Sequence, residues 1–184
     1  MKLYVMRHGT TVWNEKGITQ GRTNNRLSIQ GKLLTEEVAK KHKDIKFDFI
    51  ITSPLMRTVQ TANIMNRYHN VKIIKDHRLI EIDQGIFSGR GKNDLTEQEQ
   101  QLKFSRAKSC GMESYEECFE RIKNFVEDIK QKYEQKTILV ITHNVNASFI
   151  TDILEKVDVD FENANHLRNF KNAQVKIYNV KWKY

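Results

Sequence analysis

Apolar residues along this 184-residue chain fall into two rhythms. Short runs at Leu3–Met6, Phe49–Ile51, Val71–Ile74 and Ile138–Ile141 are rich in β-branched side chains and read as buried strands. Val175–Trp182 alternates more loosely and reads as a further strand nearer an edge. Between the runs the spacing changes to three- and four-residue steps. Phe119, Ile122, Val126, Ile129 and Tyr133 form one apolar helical stripe behind a capping box of Ser114 and Glu117. Leu33, Leu34 and Val38 mark a shorter helix, and Phe149, Ile150, Ile153 and Leu154 another. Ser53 and Pro54 offer an N-cap and first-turn pair for a helix reaching about Tyr68. Strands alternating with helices of this length predict an α/β fold: a three-layer sandwich with a mostly parallel central sheet flanked by helices on both faces.

Composition narrows the picture little. The single proline, and the lack of repeats or low-complexity tracts, give no boundary, so residues 1–184 read as one domain. A content of 39% hydrophobic and 29% charged residues is that of an ordinary globular chain. No run approaches the ~20 apolar residues of a membrane helix. Arg7 cuts the N-terminal apolar stretch too short for a signal peptide, which makes the cytoplasm the expected location. Cys110 and Cys118 form no CxxC pair and are expected to be reduced thiols. The net charge of +8 favours anionic partners. Lysines such as Lys40, Lys41, Lys43, Lys130 and Lys132 are scattered as on a solvated surface, and no nucleic-acid motif accompanies them. The expected partner is a small phosphorylated metabolite, with no nucleic acid and no membrane.

The chemistry gathers where strands end. Leu3–Met6 runs into Arg7-His8-Gly9-Thr10, and Ile138–Ile141 into Thr142-His143-Asn144. Phe49–Ile51 runs into Thr52-Ser53-Pro54, with Arg57 close behind. Open α/β sheets bind ligands outside the carboxyl ends of their strands. Two histidines and two arginines are therefore delivered to one rim. Guanidinium groups match phosphate oxygens in pairs, and an imidazole can donate to them or attack phosphorus. The other histidines, His42, His69, His77 and His166, have no such context. Gly85–Asn93 has the wrong spacing for a phosphate-cradling P-loop, and the glycines near Glu81 are expected to let backbone pass close to the bound group. No clustered ligand spacing suggests a metal, and no cofactor is expected.

In its ordered motifs the chain resembles the histidine phosphatase superfamily, also called phosphoglycerate-mutase-like. The blocks are Arg7-His8-Gly9-Thr10 with Asn14, Gln20-Gly21-Arg22, Ser53 through Ala62, Glu81-Ile82-Asp83-Gln84-Gly85, Gly111-Met112-Glu113-Ser114 and Thr142-His143. The resemblance implies that His8 is the nucleophile, forming a phosphohistidine, and that Arg7, Arg57 and His143 hold the phosphoryl oxygens. It implies Glu81 as general acid and base. Asn14, Gln20, Gly21 and Asn144 are candidate phosphate or substrate contacts.

Departures from the family pattern fall at Asn144, where glycine is usual, at Ser88, where glutamate is common, and at Thr23-Asn24-Asn25. Asn144 is compatible with left-handed backbone but carries a side chain that narrows the pocket. The implied activity is hydrolysis of a phosphomonoester. The alternatives are a cofactor-dependent phosphoglycerate mutase, or a binding protein for a phosphorylated or nucleic-acid ligand. Mutases carry a longer basic insertion after the glutamate. Here Phe87 to Gly111 is short, although Arg90, Lys92, Lys103, Arg106 and Lys108 lie in it.

Overall fold

The computed structural model describes residues 1–161, 167 and 169–180, with the backbone alone for Lys92; His166 and the expected strand end at Trp182 lie outside. Five strands, β1 (Lys2–Arg7), β2 (Phe49–Thr52), β3 (Lys72–Lys75), β4 (Thr137–Thr142) and β5 (Val175–Asn179), form one sheet in the order β3-β2-β4-β1-β5. All neighbours pair in parallel except β5, which runs antiparallel along the edge of β1.

Strand alternation divides the core into two. Leu3, Val5, Phe49, Ile51, Ile138 and Val140 face α5 (Tyr115–Lys132) and α6 (Asn144–Glu155). Tyr4, Met6, Ile50, Leu139 and Ile141 face α2 (Ile29–Lys41) and α3 (Met56–Asn66). Both faces of β1 and β4 are thus covered, which is why their sequences are continuously apolar. Each fully buried side chain of this kind contributes about 1.5–3 kcal/mol. The Ser114–Glu117 capping box opens α5, and Ile122, Val126 and Ile129 lie buried while Phe119 and Tyr133 pack partly buried against the same core.

The start of one helix requires correction. Ser53 does not cap a helix. Helix α3 begins at Met56 behind Leu55, which makes no side-chain cap bond, and ends at Asn66. The Ser53 hydroxyl is used elsewhere, by His143. In α2 the buried face is Gly31, Thr35 and Ala39, whereas Leu33 and Leu34 are exposed. Small residues face inward because α2 packs against the loop after β1. A Cβ on Gly31 would stand 1.9 Å from the Thr10 carbonyl oxygen, and one on Gly9 would stand 2.3 Å from the Thr35 hydroxyl.

Between β3 and α5 the chain leaves the sheet and builds a cap. Its own small core consists of Phe87, Leu95, Cys110 and Met112, with Leu102 and Ala107 packed against it. The helix α4 (Glu97–Phe104) opens with a capping box of Thr96 and Glu99. Gly85 adopts φ +50°, and a Cβ there would lie 1.9 Å from the Cys110 carbonyl oxygen. This glycine therefore admits another stretch of the cap's backbone, not a bound group as the sequence suggested. The short helix α1 (Val12–Glu15) and the loop to Arg26 face the cap, joined by Gly89 N–H to Thr19 O and Thr19 N–H to Arg90 O.

Candidate active site

Register decides the site. Met6 stands beside Ile141 and Arg7 beside Thr142, so the next residues, His8 and His143, leave adjacent strands abreast. The ladder continues one step further, through His8 N–H to Thr142 O at 3.0 Å and Ser53 N–H to Ile141 O at 3.1 Å. The two imidazoles end 5.3 Å apart between ring centroids, edge to face. His8, Arg57 and His143 are all buried.

Each ring has a defined proton arrangement. His8 Nδ1 lies 2.7 Å from the Gly9 carbonyl, which only accepts. Nδ1 therefore carries the hydrogen and Nε2 the lone pair. Arg57 Nε donates to His143 Nδ1 at 3.2 Å, and His143 Nε2 lies 2.9 Å from the Ser53 hydroxyl. A guanidinium cannot accept, so Nε2 of His143 bears its proton and gives it to Ser53. Burial, then Arg57 and Arg7, hold His8 well below the usual histidine range. His143 is lowered by burial first and then by Arg57 and its other cationic neighbours. Both rings are neutral near pH 7.

The arginines are held by main-chain carbonyls. Arg57, in the first turn of α3, donates to Thr23 O and Gly21 O, each at 2.8 Å. The departures at Thr23-Asn24-Asn25 thus leave the Arg57 contact intact, because it is made to backbone. Burial lowers Arg57 to about 10, so it remains charged. Arg7 donates from one terminal nitrogen to Phe170 O, while its Nε is buried with no partner among the described residues. A buried, unsatisfied guanidinium N–H beside a second arginine fits an anion's oxygen. Helices α3 and α6 both begin at this rim, adding the partial positive charge of their N-termini.

Glu81 sits in the loop between β3 and the cap. Its Oε1 accepts from Ile82 N–H at 3.0 Å and its Oε2 lies 3.9 Å from His143 Nδ1. Burial raises its pKa above the usual carboxyl value, against the opposing pull of Arg57 and Arg7. The loop is braced by a charged network. Glu113 accepts from Arg121 at 2.7 and 3.0 Å and pairs with Arg22 at 3.2 Å. Arg22 also bonds the Glu81 carbonyl, and Arg106 donates to the carbonyls of Asp83 and Glu113.

The remaining candidates lie around the rim. Thr11 Oγ1 is 3.0 Å from both Asn14 Oδ1 and Gln20 Oε1. One hydroxyl hydrogen serves only one of them at a time. Gly21, at φ +50°, packs over Gln84 and offers its carbonyl to Arg57. Asn144 is the first residue of α6 and is not left-handed; its Oδ1 accepts from Phe170 N–H at 2.8 Å. Sequence reasoning missed Ser53 as the partner of His143, and also Asn172, whose amide donates to the His8 carbonyl at 3.1 Å. A serine before Pro54 gave a signal that was read as a cap. Nothing in the sequence around Asn172 marks it.

The chain is similar to known proteins over nearly its whole length. Residues 3–184 match the histidine phosphatase superfamily (branch 1). The chain belongs to that superfamily. It is 33% identical over 156 residues to phosphoserine phosphatase 1 of Hydrogenobacter thermophilus, covering 79% of this chain and 72% of that one. It is also 26% identical over 188 residues to the probable phosphoglycerate mutase GpmB of Escherichia coli, covering 99% and 87%. The fold superposes on mycobacterial glucosyl-3-phosphoglycerate phosphatase complexed with VO3, with a TM-score of 0.85 at 20% identity over 98% of this chain and 92% of that one. The phosphatase is a phosphoric monoester hydrolase of this superfamily. Among the described residues of the phosphatase, no helix is long and apolar enough to cross a membrane.

Proposed function

We propose that this phosphatase hydrolyses a small phosphorylated metabolite in the cytoplasm by passing the phosphoryl group through Nε2 of His8. The observation that carries the reading is the fixed tautomer of His8. Its Nδ1–H is tied to Gly9 O, so the Nε2 lone pair is available to phosphorus, with His143 5.3 Å away between ring centroids. In the first step Nε2 attacks phosphorus, an N–P bond forms and the ester O–P bond breaks. The protonated Glu81 carboxyl gives its proton to the departing alkoxide. In the second, Glu81 takes a proton from water, the resulting hydroxide attacks phosphorus and the N–P bond breaks. Inorganic phosphate leaves with His8 and Glu81 restored. The scheme invokes neither metal nor cofactor.

Charge in a loose phosphoryl-transfer transition state spreads over the three equatorial oxygens. Arg7 and Arg57 meet that charge from positions already fixed by backbone carbonyls, so little reorganisation is required. The Nε–H of Arg7 gains a partner when an oxygen arrives. His143 sits opposite His8 with the Ser53 hydroxyl behind it, and the amides of Asn14 and Gln20 turn to the outer oxygens. Gly21 steadies Arg57, and Asn144 steadies the Phe170 segment that aims Arg7.

The test is a panel of phosphomonoesters assayed with wild type and His8→Ala, alongside vanadate binding. Wild type releases inorganic phosphate; the variant loses turnover by orders of magnitude while vanadate still binds weakly. Unchanged turnover in His8→Ala overturns the reading. The likeness to a probable phosphoglycerate mutase supplies a second reading. It is favoured if 2- and 3-phosphoglycerate interconvert faster than phosphate appears.

A further inference from the structure

Behind the rim, several hydrogen bonds converge on one side chain that the phosphoryl chemistry does not itself use. Asn172 sits half-buried in the turn between Phe170 and β5, where Gln174 N–H closes onto Lys171 O at 3.1 Å. Ala173 in that turn is buried at φ +59°, a left-handed conformation that is costly for a residue with a Cβ. The surroundings hold it there. Arg7 N–H donates to Gln174 O and Ala173 N–H to His8 O, each at 3.1 Å, while Phe170 N–H donates to Asn144. The turn therefore lies directly against the backbone of Arg7 and His8.

Asn172 presents its amide nitrogen to acceptors alone. Its Nδ2 lies 3.1 Å from His8 O, 3.4 Å from Asn14 Oδ1 and 3.5 Å from Gly9 O. The Gly9 carbonyl already receives the Nδ1–H of His8 at 2.7 Å. The two hydrogens of Nδ2 therefore go to His8 O and Asn14 Oδ1.

The consequence reaches two further amides. Thr11 N–H also donates to Asn14 Oδ1, at 3.1 Å, and because a backbone N–H can only donate, this end of the Asn14 amide is the oxygen. Thr11 N–H and Asn172 together fill both lone pairs of that oxygen. The Thr11 hydroxyl, 3.0 Å from both Asn14 Oδ1 and Gln20 Oε1, is then released to Gln20. Both amides thus spend their oxygen ends on Thr11 and Asn172. No bond among the described residues uses their nitrogen ends. Donors fixed in this way need little reorganisation to meet an anion's oxygens.

We propose that Asn172 is a positioning residue for phosphoryl transfer. By saturating Asn14 Oδ1 it keeps Nδ2 of Asn14 and, through Thr11, Nε2 of Gln20 turned toward the phosphoryl oxygens. This deepens the phosphatase reading and rests on it. Without Asn172 the Thr11 hydroxyl returns to Asn14 Oδ1, and Gln20 loses the contact that orients it.

A double-mutant cycle between Asn172 and Asn14, with p-nitrophenyl phosphate as substrate, is the test. Rates are expressed per folded molecule, measured by near-UV circular dichroism, so that imperfect folding does not enter. Asn172→Ala lowers kcat/KM roughly tenfold, the size expected of one hydrogen bond to a charged group, and weakens competitive inhibition by inorganic phosphate in parallel. Asn172→Asp keeps the size but loses the donor, and it falls at least as far. In Asn14→Ala protein no Oδ1 remains to saturate or to draw Thr11 from Gln20, so adding Asn172→Ala changes kcat/KM by less than about twofold. Activity retained in Asn172→Ala or Asn172→Asp overturns the proposal. So does a loss from Asn172→Ala that is as large in Asn14→Ala protein as in wild type, because Asn172 would then serve only the turn or the His8 main chain. Failure of the phosphatase reading shows itself differently, as wild type that releases no phosphate from the ester.

Discussion

The strand-end rim and the cap are built on different terms. At the rim, parallel register places His8, His143 and Ser53 side by side, and Arg7 and Arg57 are held by main-chain carbonyls. The cap has a small core, short turns and solvent-facing ion pairs such as Arg90–Glu99, with Phe104 63% exposed. Phosphoryl chemistry tolerates little displacement of its charged groups, so it belongs on the rigid element. Recognition of the alcohol portion belongs on the element that can vary without disturbing the sheet.

Substitutions can break that contrast, beginning with the largest effect. His8→Ala removes the attacking nitrogen, and kcat should fall on the order of 10⁵-fold or more in a phosphate-release assay. Glu81→Gln keeps the shape but neither donates to the leaving alkoxide nor accepts from water. A loss of roughly 10²–10⁴ in kcat is expected, least for esters whose leaving group is already acidic. Phe87→Ala acts on the cap. Truncating a buried phenylalanine costs about 3–5 kcal/mol, and here the cost should be local. Hydrogen exchange should quicken for amides in residues 85–112 while those of β1 and β4 keep their protection. Uniform loss of protection would mean that cap and rim fold as one unit.

The smallest effect is in pH dependence. His8 is held well below the ordinary histidine range, so kcat/KM should stay level as pH falls through about 6.5, where a solvated histidine would be protonated and lost. Activity that needs protonated Glu81 should decline as pH rises through its raised pKa. Replacing Arg57 with Met removes a charge that disfavours the imidazolium, so the acid limb should move to higher pH. Stability has the matching sign. The unfolded chain takes up protons that buried His8 and His143 refuse, so Tm should fall as pH drops below the ordinary histidine range.

Much of this arrangement was legible in the sequence, for identifiable reasons. Strands buried on both faces give uninterrupted runs of Ile, Val and Leu, and the residues after them are the rim. The helix α2 was legible but its inward face was not, because close approach to the Gly9–Thr10 loop selects Gly31, Thr35 and Ala39, which leave no apolar stripe. Ser53 was misread because a serine before proline signals a helix start equally well when its hydroxyl is engaged by His143. Gly85 was assigned to a ligand because its neighbour across the cap, the Cys110 carbonyl, is remote in sequence. The pairings of the cap are likewise side-chain contacts over distances that no periodicity encodes. Arg90, Lys103, Arg106 and Lys108 look alike in the sequence and differ only in the partners that the fold gives them.

The proposed chemistry rests on the lone pair at Nε2 of His8, and rapid quenching of turnover with a labelled phosphomonoester addresses it directly. The predicted result is an acid-labile, base-stable phosphoprotein whose label maps to the peptide containing His8, with 31P NMR placing it on Nε2 and not Nδ1. Turnover that proceeds with no trapped phosphoenzyme, or with label on any other residue, would contradict it.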